Sequence, residues 1–156
     1  MGTYIAFLRA INVGGRFIKM ADLRAGLSHM DFSDVESHIQ SGNLRFTSTL
    51  RSAAKVELAI EAAMQELCGF TVRTIVRTPA QMGELTSYGA GLKAPLQGDV
   101  RRYVAFLKEH PDKEFVDMMN GWDVAGERVH VHERELYIWL AVPSHTAKLT
   151  NARIER

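Results

Sequence analysis

A single cysteine, Cys68, is all that the 156-residue sequence contains, so no internal disulfide can form. Small secreted folds lean on such crosslinks, and their absence points to a reducing, cytoplasmic setting. Long apolar runs are missing as well. No stretch approaches the roughly 20 residues that a membrane-spanning helix needs. The N-terminus, Met1-Gly2-Thr3-Tyr4, carries no basic segment ahead of an apolar one, so no signal peptide is expected. Charge of one sign is scarce too: 19 Lys and Arg stand against 18 Asp and Glu, a net charge of +1. Residues 1–78 hold nine basic and seven acidic residues, and the remainder ten and eleven, so neither half is a charged tail. Bulk electrostatic binding to nucleic acid or to a membrane is thereby disfavoured, and only a local basic patch is left for such partners.

The familiar catalytic signatures are also lacking. There is no Gly-x-x-x-x-Gly-Lys-Ser/Thr loop, no Gly-x-Gly-x-x-Gly, no Gly-x-Ser-x-Gly elbow, no His-Glu-x-x-His and no Cys-x-x-Cys. Each gap removes the minimal residue set for one phosphate, dinucleotide, hydrolase, zinc or redox site, and no cofactor is expected. His130 and His132 stand two apart on a strand and share a face, yet a metal centre needs a third ligand that the local pattern does not supply. A polar strand face backed by buried Val129 and Val131 is the expectation there, with no metal. Cys68 ends a helix just before Gly69 and lacks the helix N-terminus or basic neighbour that makes a thiol reactive. It is expected to be packed.

What is present is an ordinary folding composition, 46% apolar and 24% charged. Tyr4-Ile5-Ala6-Phe7-Leu8-Arg9 is apolar on both faces and predicts a central strand. A glycine-bearing loop through Asn12, Gly14 and Gly15 leads to a helix with Met20, Leu23, Leu27 and Met30 on one face. Alternation over residues 35–40 and 44–47, joined by Ser41-Gly42-Asn43, predicts a hairpin. A helix over residues 53–68 carries Val56, Ile60, Ala63 and Leu67 on its buried stripe and ends at Gly69. A fourth strand covers residues 70–77. This β-α-β-β-α-β order is that of the split β-α-β, ferredoxin-like unit.

Thr78-Pro79-Ala80-Gln81 then has the form of a helix start with a capping box, and residues 88–98 form the best linker in the chain. Beyond it the pattern restarts. Tyr103-Val104-Ala105-Phe106-Leu107-Lys108 echoes residues 4–9 position by position. A helix with Phe115, Met118 and Met119, strands over 128–132 and 136–142, and a last helix from about Thr146 follow. The expected architecture is α+β, an α/β sandwich of duplicated ferredoxin-like units with a shortened second copy. Its parts are residues 1–78, a capped helix and linker at 79–98, and residues 99–156.

Topology then locates a site. Strands one and two of such a unit are parallel, so the loops leaving their C-terminal ends share one edge of the sheet. That edge gathers Arg9, Asn12, Gly14, Gly15, Arg16, Lys19, Gln40, Ser41 and Asn43. Glycines let backbone N–H groups approach a ligand, the loop feeds a helix N-terminus, and the cations and amides add charge and direction. A phosphate, carboxylate or nucleotide-like ligand suits such a cradle. Turn formation alone also uses these residue types. A second surface is the sheet face away from the helices, bearing His38, Arg45, Arg73 and Arg77 in the first half and Arg128, His130, His132, Tyr137 and Trp139 in the second. Basic and aromatic residues on an open sheet are what single-stranded nucleic acid binds, although packing between units is the more frequent use of such faces. A third reading is an enzyme at the first edge, with Lys19 or Arg9 stabilising charge and no nucleophile or base assigned.

Three stretches, residues 4–15 (Tyr-Ile-Ala-Phe-Leu-Arg-Ala-Ile-Asn-Val-Gly-Gly), residues 39–43 (Ile-Gln-Ser-Gly-Asn) and residues 148–152 (Lys-Leu-Thr-Asn-Ala), resemble the mostly bacterial domain-of-unknown-function family 1697. The resemblance runs in the same order over nearly the whole chain. It implies the duplicated ferredoxin-like fold and no particular reaction. Ala10 departs from the glycine usual in the family, and the stretch over residues 16–19 is shorter and less basic than usual. A Thr-Arg-Asn-Trp-like segment that follows the last motif in the family is not among these 156 residues.

Overall fold

The computed structural model describes residues 1–39 and 42–155. The chain divides into two units, Met1–Glu84 and Leu85–Arg156. The first contains β1 (Gly2–Leu8), α1 (Met20–Ser28), β2 (Phe32–His38), β3 (Asn43–Ser48), α2 (Ala53–Cys68) and β4 (Thr74–Arg77). Its sheet has the order β2-β3-β1-β4 with every neighbouring pair antiparallel. β1 and β2 are therefore parallel to one another, with β3 between them. Alternation places Tyr4, Ala6 and Leu8 of β1 and Leu44 and Phe46 of β3 in one core. Leu23 and Leu27 from α1 and Val56, Ile60, Ala63 and Met64 from α2 close it. Phe32 meets Phe46 edge-on, with ring centroids 5.1 Å apart.

Several boundaries differ from the sequence reading, for identifiable reasons. β2 starts earlier, at Phe32, and ends at His38. Ile39, expected to continue the strand, leaves the sheet with φ +53° and is exposed. β4 is confined to Thr74–Arg77, although Val72 ahead of it is still buried. Leu67 is not on the buried stripe of α2; Met64 takes that place. Leu67 instead lies across α1, where a Cβ on Gly26 would come within 2.5 Å of its Cδ2. Gly69 ends α2 as expected, with φ 74° and its N–H donated to the Gln65 carbonyl at 3.0 Å.

The capping box after β4 forms in full. The Thr78 N–H donates to Gln81 Oε1 at 2.9 Å, and the Gln81 N–H donates to Thr78 Oγ1 at 3.2 Å. Helix α3 (Pro79–Gly91) that starts there runs on through much of the expected linker. Gly89 is tolerated inside it because the helix must come close to an aromatic ring: a Cβ there would stand 2.7 Å from Tyr137 Cε1. Packing thus overrides the weak helix propensity of glycine.

The second unit holds the end of α3, then β5 (Arg101–Phe106), α4 (Lys113–Asn120), β6 (Glu127–His132), β7 (Glu135–Leu140) and the short α5 (Asn151–Ile154). Its antiparallel sheet has the order β5-β7-β6. Read as β6-β7-β5, this repeats β2-β3-β1, with no fourth strand among the described residues. Met119, Val129, Val131, Leu136, Ile138 and Leu140 form its core. Met118 is exposed and belongs to the solvent face of α4. The expected final helix from Thr146 is limited to α5; ahead of it, backbone is committed elsewhere. The buried Glu127 carboxylate accepts the N–H of Lys148 and of Leu149 and also the Trp122 indole N–H, the last at 3.0 Å. The Lys-Leu-Thr-Asn stretch is thus fastened to β6. Among the described residues no helix is long and apolar enough to cross a membrane.

Candidate ligand-binding site

Between β1 and α1 the chain turns sharply on residues that can take left-handed backbone. Ala10, Asn12, Gly14 and Gly15 all have positive φ, at 53°, 57°, 59° and 84°. Two consecutive glycines in that region form a tight primed-type turn. It is closed by the Arg16 N–H on the Val13 carbonyl at 3.1 Å and the Asn12 N–H on the Arg16 carbonyl at 2.7 Å. Asn12 Oδ1 accepts the Ile18 N–H at 2.8 Å, so this acceptor shapes the loop itself. Ile11 is buried beneath.

The β2–β3 hairpin lies directly beside this loop. The Leu8 N–H donates to the Gly42 carbonyl at 2.9 Å. Gly42, at φ 81°, is pressed so close that a Cβ would come 2.4 Å from Ile11 Cγ2 and 2.9 Å from Leu8 Cβ. Asn43 opens β3, half-buried, paired with Phe7 and with His38. Gln40 and Ser41, the other candidates on this hairpin, lie outside the described residues. Arg9, Gly14, Gly15, Arg16 and Lys19 are exposed. The Arg16 guanidinium sits 5.7 Å from the centre of the Phe70 ring. Lys19 occupies the N-cap of α1, which has no side-chain cap bond. A Cβ on Gly14 or on Gly15 would meet nothing within 4 Å, so that side of the turn is open.

Apolar side chains at this edge went unnoticed in the sequence. Val13 (54%), Phe17 (71%) and Ile39 (62%) are large apolar residues exposed to solvent. Their signal was an apolar residue on each side of a glycine turn, where solvent-facing loops usually carry polar ones.

The sheet faces proposed as a second surface are not open as a whole. Arg77 is 1% exposed, and Tyr137 and Trp139 are buried. In the second unit the end of α3 lies over this face. The Tyr137 hydroxyl donates to the Leu85 carbonyl at 2.9 Å. His130 and His132 are half-buried beneath Tyr88: its hydroxyl and His130 Nε2 are 2.7 Å apart, and its ring stacks on His132 at 3.7 Å. Val129 and Val131 are buried on the opposite face. Burial, and secondarily the charge of His132, lower the His130 pKa. Among the described residues no group of three His, Cys, Asp or Glu could hold a metal. Cys68 is half-buried, and burial raises its pKa, the opposite of an activated thiol.

A comparison with curated proteins found no match. Among solved structures, the chain is similar to the conserved bacterial protein SP0830 from Streptococcus pneumoniae, with a TM-score of 0.71 and 24% identity. The match covers 94% of this chain and 79% of that one, a likeness of fold. Residues 1–137 match the family model described as "Protein of unknown function (DUF1697)". Together with the mixed α+β architecture of two antiparallel sheets, that match places the chain: it belongs to the DUF1697 family.

Proposed function

We propose that the protein binds a small anionic, nucleotide-like ligand at the edge formed by residues 9–19 and the β2–β3 hairpin, without catalysing a reaction. The observation that carries this reading is the meeting of two chemistries on one open turn. Arg9, Arg16 and Lys19 supply positive charge and Val13 and Phe17 exposed apolar area on the segment that carries the uncovered Gly14-Gly15 backbone, while Ile39 is an exposed apolar residue at the end of β2. Phosphate oxygens suit the cations and the glycine N–H groups, and a base or other flat apolar group suits Phe17. Asn12 acts as a positioning residue through its bond to the Ile18 N–H. Among the described residues of the 9–19 segment the polar side chains are cations and Asn12, a set that suits holding an anion.

Isothermal titration at low salt with AMP, ADP and inorganic phosphate tests this. ADP is expected to bind more tightly than phosphate. Replacing Arg16 and Lys19 by Ala together should weaken ADP by about tenfold or more, whereas Phe17→Ala should weaken ADP and leave phosphate unchanged. The absence of any saturable heat with the nucleotides would sink the reading.

Two further features support the broader picture. The β6-β7-β5 order matching β2-β3-β1, with the echo of residues 4–9 in residues 103–108, supports descent of both units from one duplicated β-α-β-β core. A bacterial cytoplasm suits a chain whose one thiol is half-buried.

A further inference from the structure

The second unit contains a cavity of about 320 Å3 on the sheet face opposite its core, between the end of α3 and strands β5 and β7. That volume is within the range of small-molecule sites. Leu85 and Ala90 of α3, Val104 of β5 and the rings of Tyr137 and Trp139 of β7 make its walls apolar, and among the described residues Arg102 is the one charged residue lining it. The walls are held together by specific contacts. The Tyr137 hydroxyl donates to the Leu85 carbonyl, and Gly89 leaves the helix bare where the Tyr137 ring lies against it.

Two features of the lining call for an acceptor. Trp139 is 5% exposed, and its indole Nε1 is buried with no hydrogen-bond partner among the described residues. Arg102 is its register partner across β5 and β7, so guanidinium and indole project side by side from one face. Buried polar groups are as a rule paired; this N–H has no partner, and its ring lines the cavity together with the cationic side chain of the register partner.

We propose that this cavity binds a small carboxylate with an apolar body, a medium-chain or aryl carboxylic acid. The body would lie between Leu85, Ala90 and Val104, and the carboxylate would accept hydrogen bonds from Arg102 and from the Trp139 indole N–H. The site shares no residue with the loop edge of the first unit and does not depend on the function proposed there.

The test is titration of the full chain with octanoate and 3-phenylpropionate, with octanol as the neutral match. It is followed by calorimetry and by the indole N–H resonances of Trp122 and Trp139. Saturable octanoate binding that moves the Trp139 resonance and leaves Trp122 in place is expected. Octanol should bind about tenfold more weakly, and Arg102→Gln should reduce octanoate affinity about tenfold while leaving octanol unchanged. Ala90→Phe should fill the cavity and abolish binding. Should that variant fail to fold, Arg102→Gln decides alone, since Arg102 is exposed. No saturable binding of either acid at millimolar concentration would overturn the proposal. So would octanol binding as well as octanoate, or a Trp139 shift that survives in folded Ala90→Phe. A dimer in the ultracentrifuge coupled with no carboxylate binding would assign the cavity to a second copy of the chain and overturn it as well.

Discussion

The two sheets share a strand order and part company at one flank. In the first unit, β4 lies outside β1, and its N–H groups at Thr74 and Val76 donate to Glu61 and Glu57 of α2, each at 2.9 Å. In the second unit no described strand lies outside β5, whose residues Arg101, Arg102, Tyr103 and Val104 are exposed. Each unit also contains a buried glutamate that receives backbone N–H groups, but to different ends. Glu57 finishes a sheet edge, while Glu127 fastens the chain after β7 to β6. Similar sheets are thus completed by side chains drawn from quite different places in the sequence, and that is where variants can separate the two units.

The largest effect is expected at Glu127. Glu127→Ala leaves the Trp122 indole and the N–H groups of Lys148 and Leu149 without their charged acceptor, a loss of about 3 kcal/mol or more. Chemical denaturation should show the loss, and hydrogen exchange should place it in residues 85–155. Equal loss of protection in residues 1–84 would break the comparison. Next comes Glu57→Ala, which strands the Val76 N–H and should remove about 2 kcal/mol, with exchange rising in β4 and α2. A neutral outcome would mean that water replaces the carboxylate at this edge.

The smallest effect concerns pH. His130 is held below its ordinary pKa of 6.5, first by burial and then by the charge of His132, so the folded protein favours its neutral form. Its contribution is complete above that ordinary value and declines as pH falls through the lower folded value. Melts from about pH 8 to about pH 5 should show an acid-side loss that shrinks in His130→Gln. Tyr88, His132 and Tyr137 are the titratable groups around this ring. An unchanged profile in the variant would remove the histidine from the acid response.

Local chemistry was legible in the sequence and distant partnership was not. Thr78 and Gln81 are three residues apart, and their reciprocal bonds could be read directly; so could Gly69 and both limits of α2. The neighbourhood of residues 10–19 and the hairpin followed from strand direction, and the contact of Gly42 with Ile11 bears it out. Yet the Asn12 side chain satisfies a backbone amide six residues on, which composition could not distinguish from ligand binding. Glu57 and Glu127 went unremarked because their partners are 19 and 21 residues away. Gly89 read as a linker for the same reason: the ring that needs its bare face comes from β7.

The spacing of Glu57 and Glu61 has a consequence of its own. Four residues of helix advance about 6.0 Å and two residues of strand about 6.6 to 6.8 Å, so a carboxylate on each successive turn keeps step with alternate amides of a neighbouring strand. Running antiparallel to β4, α2 is a ruler of almost the same pitch, and through these two side chains it impersonates the strand that would otherwise come next. Removing both carboxylates at once would leave β4 as a bare template for extended chains from other molecules, and the penalty would be paid in solubility as well as in stability.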